Sequence, residues 1–126
     1  MNLDLIEFFA LKRSLHKQKE IKLRVVSDSM APLLKVDEII RVHEFHPTEL
    51  VKYDIVVFWQ NNKIISHFLW SKQTDPHTGE NIYITKSLKD PRGFDIPVKE
   101  RLLLGRVDAK ITRLTKIKVS LINLLK

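Results

Sequence analysis

Apolar positions along this chain follow two different periods. Near the start, Leu3, Ile6 and Phe9, with Leu5 and Phe8 beside them, then Leu11 and Leu15, recur at close to helical spacing, and Asn2 or Asp4 supplies a cap. This predicts an N-terminal amphipathic helix over residues 1–20, ending in the basic group Lys12, Arg13, His16, Lys17 and Lys19. Beyond residue 20 the period becomes two. Ile21, Leu23 and Val25 alternate with Lys22 and Arg24 as in a half-buried strand, and Asp37 to Val42 reads as the next strand. Tyr53 to Trp59 is a continuous β-rich run, Gln60-Asn61-Asn62-Lys63 is a turn, and Ile64 to Trp70 returns, which together predict a hairpin. Ile82 to Lys86 and Arg101 to Val107 add further strands. At the end, Ile117, Val119, Leu121, Ile122, Leu124 and Leu125 mix with Lys116, Lys118 and Lys126, a pattern that fits either a strand or a basic membrane contact. The expected architecture is therefore a mainly β domain over residues 21–115, flanked by the helix and by a basic, apolar tail over residues 116–126.

Between the first two strands lies Ser27-Asp28-Ser29-Met30-Ala31-Pro32. Proline has no N–H to give to a ladder and biases the residue before it towards an extended conformation. Ser29 is thus expected to be displayed and not packed. Taken alone, a turn serine is most simply a capping hydroxyl.

Composition changes the picture in three places. A chain of 126 residues with 44% hydrophobic content can build one core without staples, and the absence of cysteine removes disulfides, thiolate nucleophiles and Cys-based zinc sites. The net charge of +7 favours an acidic partner, either nucleic acid or an anionic membrane surface. Trp59, Phe68 and Trp70, which could serve a nucleic-acid platform, alternate on strands as core or hairpin pairs, so nucleic acid is not the expected partner. No window reaches the roughly 18 to 20 apolar residues that cross a bilayer, and no secretory signal is evident. A cytoplasmic location is expected, with peripheral contact at the inner membrane face through residues 3–19 as the further option. His43-Glu44-Phe45-His46-Pro47 has neither the spacing nor the helix-compatible sequence of a His-Glu-x-x-His zinc site and reads as a loop; no metal or organic cofactor is expected.

The order of segments resembles the signal peptidase/LexA-like serine peptidase clan. Ser29-Met30-Ala31-Pro32 followed by Asp37-Glu38-Ile39-Ile40-Arg41-Val42 looks like its nucleophile segment. Lys52-Tyr53-Asp54-Ile55-Val56-Val57-Phe58 is similar to its Gly-Asp-Ile-Val-Val-Phe strand, with Tyr53 where glycine is usual. Arg101-Leu102-Leu103-Leu104-Gly105-Arg106-Val107 is similar to the Ile-Leu-Gly-Arg-Val strand that ends its catalytic core. The likeness spans residues 24–111. It implies a coiled antiparallel β fold, Ser29 as nucleophile with Met30 and Pro32 supporting its turn, and His67 as general base, as in the Ser/His signal peptidases. Lys63 is the alternative base. The clan's Lys-Gly-Asp is replaced here by Lys86-Ser87-Leu88; Asp95 is then the candidate for the supporting acid, with Asp90 in reserve. Ser27 and the Ser29 N–H are the candidate oxyanion donors.

A histidine suits this role because its unperturbed pKa of about 6.5 leaves it able to accept a proton near neutral pH, whereas lysine must first be desolvated. The resemblance implies cleavage of leader or signal peptides after small residues, the substrate bound as an added strand. Where those enzymes usually carry a transmembrane helix, this chain is expected to have at most a surface anchor. Two other readings accompany this one. A self-cleaving regulator would need a DNA-binding domain or a cleavable arm, and the residues before Arg24 offer neither. A binding module of the same fold with a decayed site would account for Ser87-Leu88, for Tyr53, and for Phe68 in the place of an arginine.

Overall fold

The computed structural model describes residues 3–93 and 95–124. The first helix, α1 (Leu5–Gln18), starts at Asp4. The Asp4 carboxylate accepts the Glu7 N–H while the Glu7 side chain accepts the Asp4 N–H, a reciprocal capping box. Asn2, the other candidate cap, lies outside the described residues. Lys19 closes the helix in the left-handed conformation, its N–H bonded to Leu15 O.

Seven strands follow: β1 (Glu20–Arg24), β2 (Ile39–His43), β3 (Asp54–Gln60), β4 (Lys63–Thr74), β5 (Asn81–Lys86), β6 (Val98–Lys99) and β7 (Leu103–Lys110). They form one antiparallel sheet in the order β1-β2-β7-β3-β4-β5-β6. Register shifts in β3–β7 and β4–β5 mark irregularities that bend strands and increase local twist, and the sheet curls accordingly. The long apolar run in β3 is explained by its central place. Ile55 and Val57 face one core with Phe8, Leu15, Val42, Phe68 and Val107; Val56 and Phe58 face a second with Leu50, Leu69, Tyr83, Val98 and Leu103. A strand buried on both faces has no polar alternation to show.

The β3–β4 turn is Asn61-Asn62, both at positive φ (50° and 61°), the geometry that two-residue hairpin loops need and asparagine tolerates. Tyr53, just ahead of β3, has φ 75°. Its side chain offsets that unfavourable conformation by stacking on Phe68 with ring centroids 5.8 Å apart and meeting Trp70 edge-on at 6.2 Å.

Three expectations change. The Asp37 to Val42 run becomes strand only from Ile39, because Asp37 turns at φ 70°. Arg101 and Leu102 belong to a 3-10 turn (Glu100–Leu102) before β7. The C-terminal segment, whose pattern fits a strand or a basic membrane contact, adds no strand: it forms a second helix, α2 (Arg113–Leu124), which begins ahead of the expected boundary at residue 116. Among the described residues, no helix is long and apolar enough to cross a membrane. Most of the apolar side of α1 is turned into its own domain, with Phe8 and Leu15 fully buried and Phe9 and Leu11 half-buried, while Leu5 and Ile6 remain exposed.

Candidate active site

The nucleophile segment is an excursion between β1 and β2. Its base is closed by the Val25 N–H on Glu38 O and the Asp37 N–H on Val25 O, both 2.8 Å. The regular ladder therefore ends well before Pro32, and the proline shapes the loop without being what stops the strand. Inside the loop, Ala31 N–H bonds Asp28 O and Leu34 N–H bonds Met30 O, one turn of near-helical chain. That spacing drives Met30 and Leu34 into the core, at 1% and 0% exposure. Ser29 precedes the first of these anchors and is half-buried, so it is held at the rim and not freely displayed. Pro32 is exposed. A second tie comes from the far side of the sheet: Lys89 N–H donates to Ser29 O at 3.0 Å and Lys89 Nζ to Asp28 Oδ2 at 2.7 Å. This ammonium bond holds the Asp28 carboxyl below its usual range.

His67 is in the first half of β4, opposite Val56 of β3, with its ring edge-on to Phe58. Its Nδ1 is 2.5 Å from Asp95 Oδ2, and Thr85 Oγ1 donates to the same oxygen at 2.8 Å. The His67 side chain is 14% exposed and that of Asp95 26%. Burial works against the Asp95 charge, but the hydrogen bond and charge of His67, the Thr85 hydroxyl and the nearby Lys86 ammonium outweigh it, and the carboxyl is held below the usual range. An ionised carboxylate can only accept, so Nδ1 carries the proton and the lone pair of the neutral ring is on Nε2. Asp90 does not join this pair. It remains in the preceding turn, its N–H on Ser87 Oγ.

Ser29, Ser27, His67 and Lys63 line one cleft of about 500 Å³, whose walls are Leu23 to Ser27 on one side and Lys63 to His67 on the other and whose floor includes Met30, Leu34 and Ile40. β4 pairs with β5 only from Phe68 onward, so residues 63–67 present a free strand edge to this cleft. Ser29 N–H donates to Ser27 Oγ at 3.2 Å, which links the two candidate oxyanion donors and leaves the Ser27 O–H free to turn elsewhere. Among the described residues, Ser29 and His67 share the cleft without a hydrogen bond between their side chains. Lys63 is exposed at the cleft mouth, two strand repeats from His67 and on the same face.

Sequence reasoning missed the support behind Asp95. Lys86 is fully buried and its Nζ donates to Pro91 O (3.0 Å), Gly93 O (3.1 Å) and Asn123 Oδ1 (2.8 Å). Asn123, on α2, also donates to Pro91 O at 3.0 Å. The loop that delivers Asp95 is thus held by a buried lysine and by the C-terminal helix. A lysine at the end of an apolar strand was the available signal; its partner on α2 had none. Ser87 and Leu88 do structural work: Ser87 Oγ caps the Asp90 turn and Leu88 packs on the main core. No protein-family model, curated protein or solved structure matches this chain.

Proposed function

We propose that this protein is a serine endopeptidase with the coiled β fold of the signal peptidase/LexA-like clan, cleaving leader or signal peptides after small residues. The observation that carries the reading is the carboxylate-bound His67, whose tautomer leaves a basic Nε2, lining the same cleft as Ser29. In the proposed reaction Nε2 takes the Ser29 Oγ proton as Oγ attacks the scissile carbonyl. The tetrahedral oxyanion is met by the Ser27 hydroxyl and the Ser29 N–H, which exchanges its bond to Ser27 Oγ for one to the developing charge. Collapse breaks the C–N bond, and His67 gives its proton to the departing amine. His67 then takes a proton from water as the water oxygen attacks the Ser29 ester, and returns that proton to Ser29 Oγ as the acyl C–Oγ bond breaks, releasing the acid product and restoring both residues. Asp95 stays ionised throughout, holding the ring and stabilising the imidazolium.

The free edge at residues 63–67 suits a substrate that adds as a strand, with backbone groups supplying affinity and the apolar floor taking side chains. Histidine as the base fits the resemblance to the Ser/His type of signal peptidase. The looseness of the Ser29–His67 pair is compatible with a site that tightens when substrate binds. The test is incubation of wild type, Ser29→Ala and His67→Ala with leader-like peptides bearing Ala-x-Ala sites, read by mass spectrometry with folding checked by circular dichroism. Cleavage by wild type alone supports the dyad. Cleavage that survives both substitutions removes the dyad and assigns the activity to another site or a contaminant; none by any of the three removes it and leaves a non-catalytic module of this fold.

A further inference from the structure

The C-terminal helix is two-faced in an unusual sense. Its inner side meets the domain through buried Val119 and half-buried Thr115, Ile122 and Asn123, and Tyr53 Oη bonds Ser120 Oγ at 2.9 Å. On the outer side, Leu114, Ile117, Leu121 and Leu124 are 80%, 49%, 53% and 78% exposed. Their spacing of three, four and three residues sets them on one stripe, within an arc of about 80° at 3.6 residues per turn. A single exposed leucine requires no explanation; four on one helix face form a contiguous patch. The helix also carries Arg113, Lys116 and Lys118, all exposed, and no acidic residue. Lys52 joins Lys116 at the Tyr53 ring, 5.5 and 5.4 Å from its centroid, adding a cation beside the helix.

We propose that α2 docks on an anionic membrane surface, its outer stripe in the acyl boundary and its cations at the headgroups. Charge selects the occupant. Two copies packed through this stripe would bring Arg113, Lys116 and Lys118 of both helices together with no carboxylate on either helix to offset them. An anionic lipid surface offers both an apolar layer and the opposite charge, and long lysine stems reach from one to the other. Of the two membrane contacts the sequence suggests, this is the C-terminal one; on α1, Phe8 and Leu15 are buried in the core and, of its large apolar residues, only Leu5 and Ile6 are left exposed. It does not rest on the peptidase reading. Docking would, however, place the membrane directly behind the helix whose Asn123 holds the Pro91 loop.

The experiment is flotation of the full chain with phosphatidylcholine vesicles, with and without phosphatidylglycerol, at low and high salt. Binding is expected only with the anionic lipid, and to weaken as salt rises. The paired change Ile117→Glu/Leu121→Glu, outside the packed face, should lower the bound fraction at least tenfold, whereas Ile6→Glu on α1 should not. Should the paired variant fail to fold, a second measurement keeps the test: the chain has no cysteine, so Leu121→Cys carries one environment-sensitive dye, whose emission should shift blue on anionic vesicles while the same dye at Ile6→Cys does not. Equal binding to neutral vesicles, no binding at low salt, loss through Ile6→Glu, or a dye response only at residue 6 would overturn the proposal. Self-association of wild type that Leu121→Glu abolishes would do so too, by assigning the stripe to a second copy.

Discussion

Replacing Asp95 by alanine removes the acceptor of two hydrogen bonds at once, from His67 Nδ1 at 2.5 Å and from Thr85 Oγ1 at 2.8 Å. Thr85 is fully buried and His67 nearly so, and neither regains full hydration in the folded state. An orphaned buried donor costs about 1–3 kcal/mol. Asp95 itself is partly open to water, which can fill some of the vacated space, so the loss should fall near the lower end for each donor, about 2–3 kcal/mol in all. With a urea slope of about 1–3 kcal/mol per molar, the unfolding midpoint should drop by about 1–2 M. Asp95→Asn keeps an acceptor for Thr85 and loses only the charge, and should cost about 1 kcal/mol. The pH dependence has a definite sign. The folded pKa of Asp95 lies below the unfolded value of 3.8, so its contribution is present above that value and is lost as pH falls through the folded pKa. The gap between wild type and Asp95→Asn should close below about pH 4. Urea titrations followed by circular dichroism at neutral and acidic pH measure both effects. An Asp95→Ala midpoint equal to wild type, or an Asp95→Asn gap undiminished at about pH 2, would refute the reasoning.

Three further outcomes test other parts of the account. Asn123→Ala removes one of the partners of Lys86 Nζ and a donor to Pro91 O; it should cost about 1–2 kcal/mol in a thermal or urea melt and, under the proposed peptidase reading, lower kcat for peptide cleavage with little change in KM. Tyr53→Ala and Tyr53→Gly lose the same aromatic contacts but differ at φ 75°, so the glycine variant should be more stable by about 1 kcal/mol; equal midpoints would mean that the left-handed conformation is not held in solution. Gly105→Ala would push a Cβ to 2.5 Å from Val42 Cγ1 and 2.6 Å from the His43 carbonyl oxygen, and because a paired backbone cannot yield, a loss of about 2–3 kcal/mol is expected by denaturation.

Strand periodicity makes most of the sheet legible in the sequence alone. The Tyr53 to Trp70 hairpin was readable because both strands are β-rich and the turn is Asn-Asn, a pair that accepts positive φ. The alternation of Ile21, Leu23, Lys22 and Arg24 likewise marked β1, whose inner and outer residues follow it. The tail was ambiguous for a physical reason. Its apolar residues occupy both sides of α2, one packed on the domain and one facing out, and a helix apolar on two faces gives no clean 3.6-residue signal. The approach of Asp95 to His67 was likewise outside the reach of spacing arguments, since the loop carrying it is held by Lys86 and Asn123, 37 residues apart in sequence. Tyr53 looked like a departure from the resembling family; the left-handed backbone there, with its ring stacked on Phe68, gives that departure a structural compensation.

The most direct measurement of the central claim asks whether Ser29 is activated, independently of any substrate. The folded chain is treated with a fluorophosphonate, and the modified residue is located by peptide mapping. The account predicts one adduct, on Ser29, strongly reduced in His67→Ala and Asp95→Asn variants that remain folded, because phosphonylation requires a base to take the Oγ proton. No adduct on Ser29, or one that forms equally fast without His67, would contradict it.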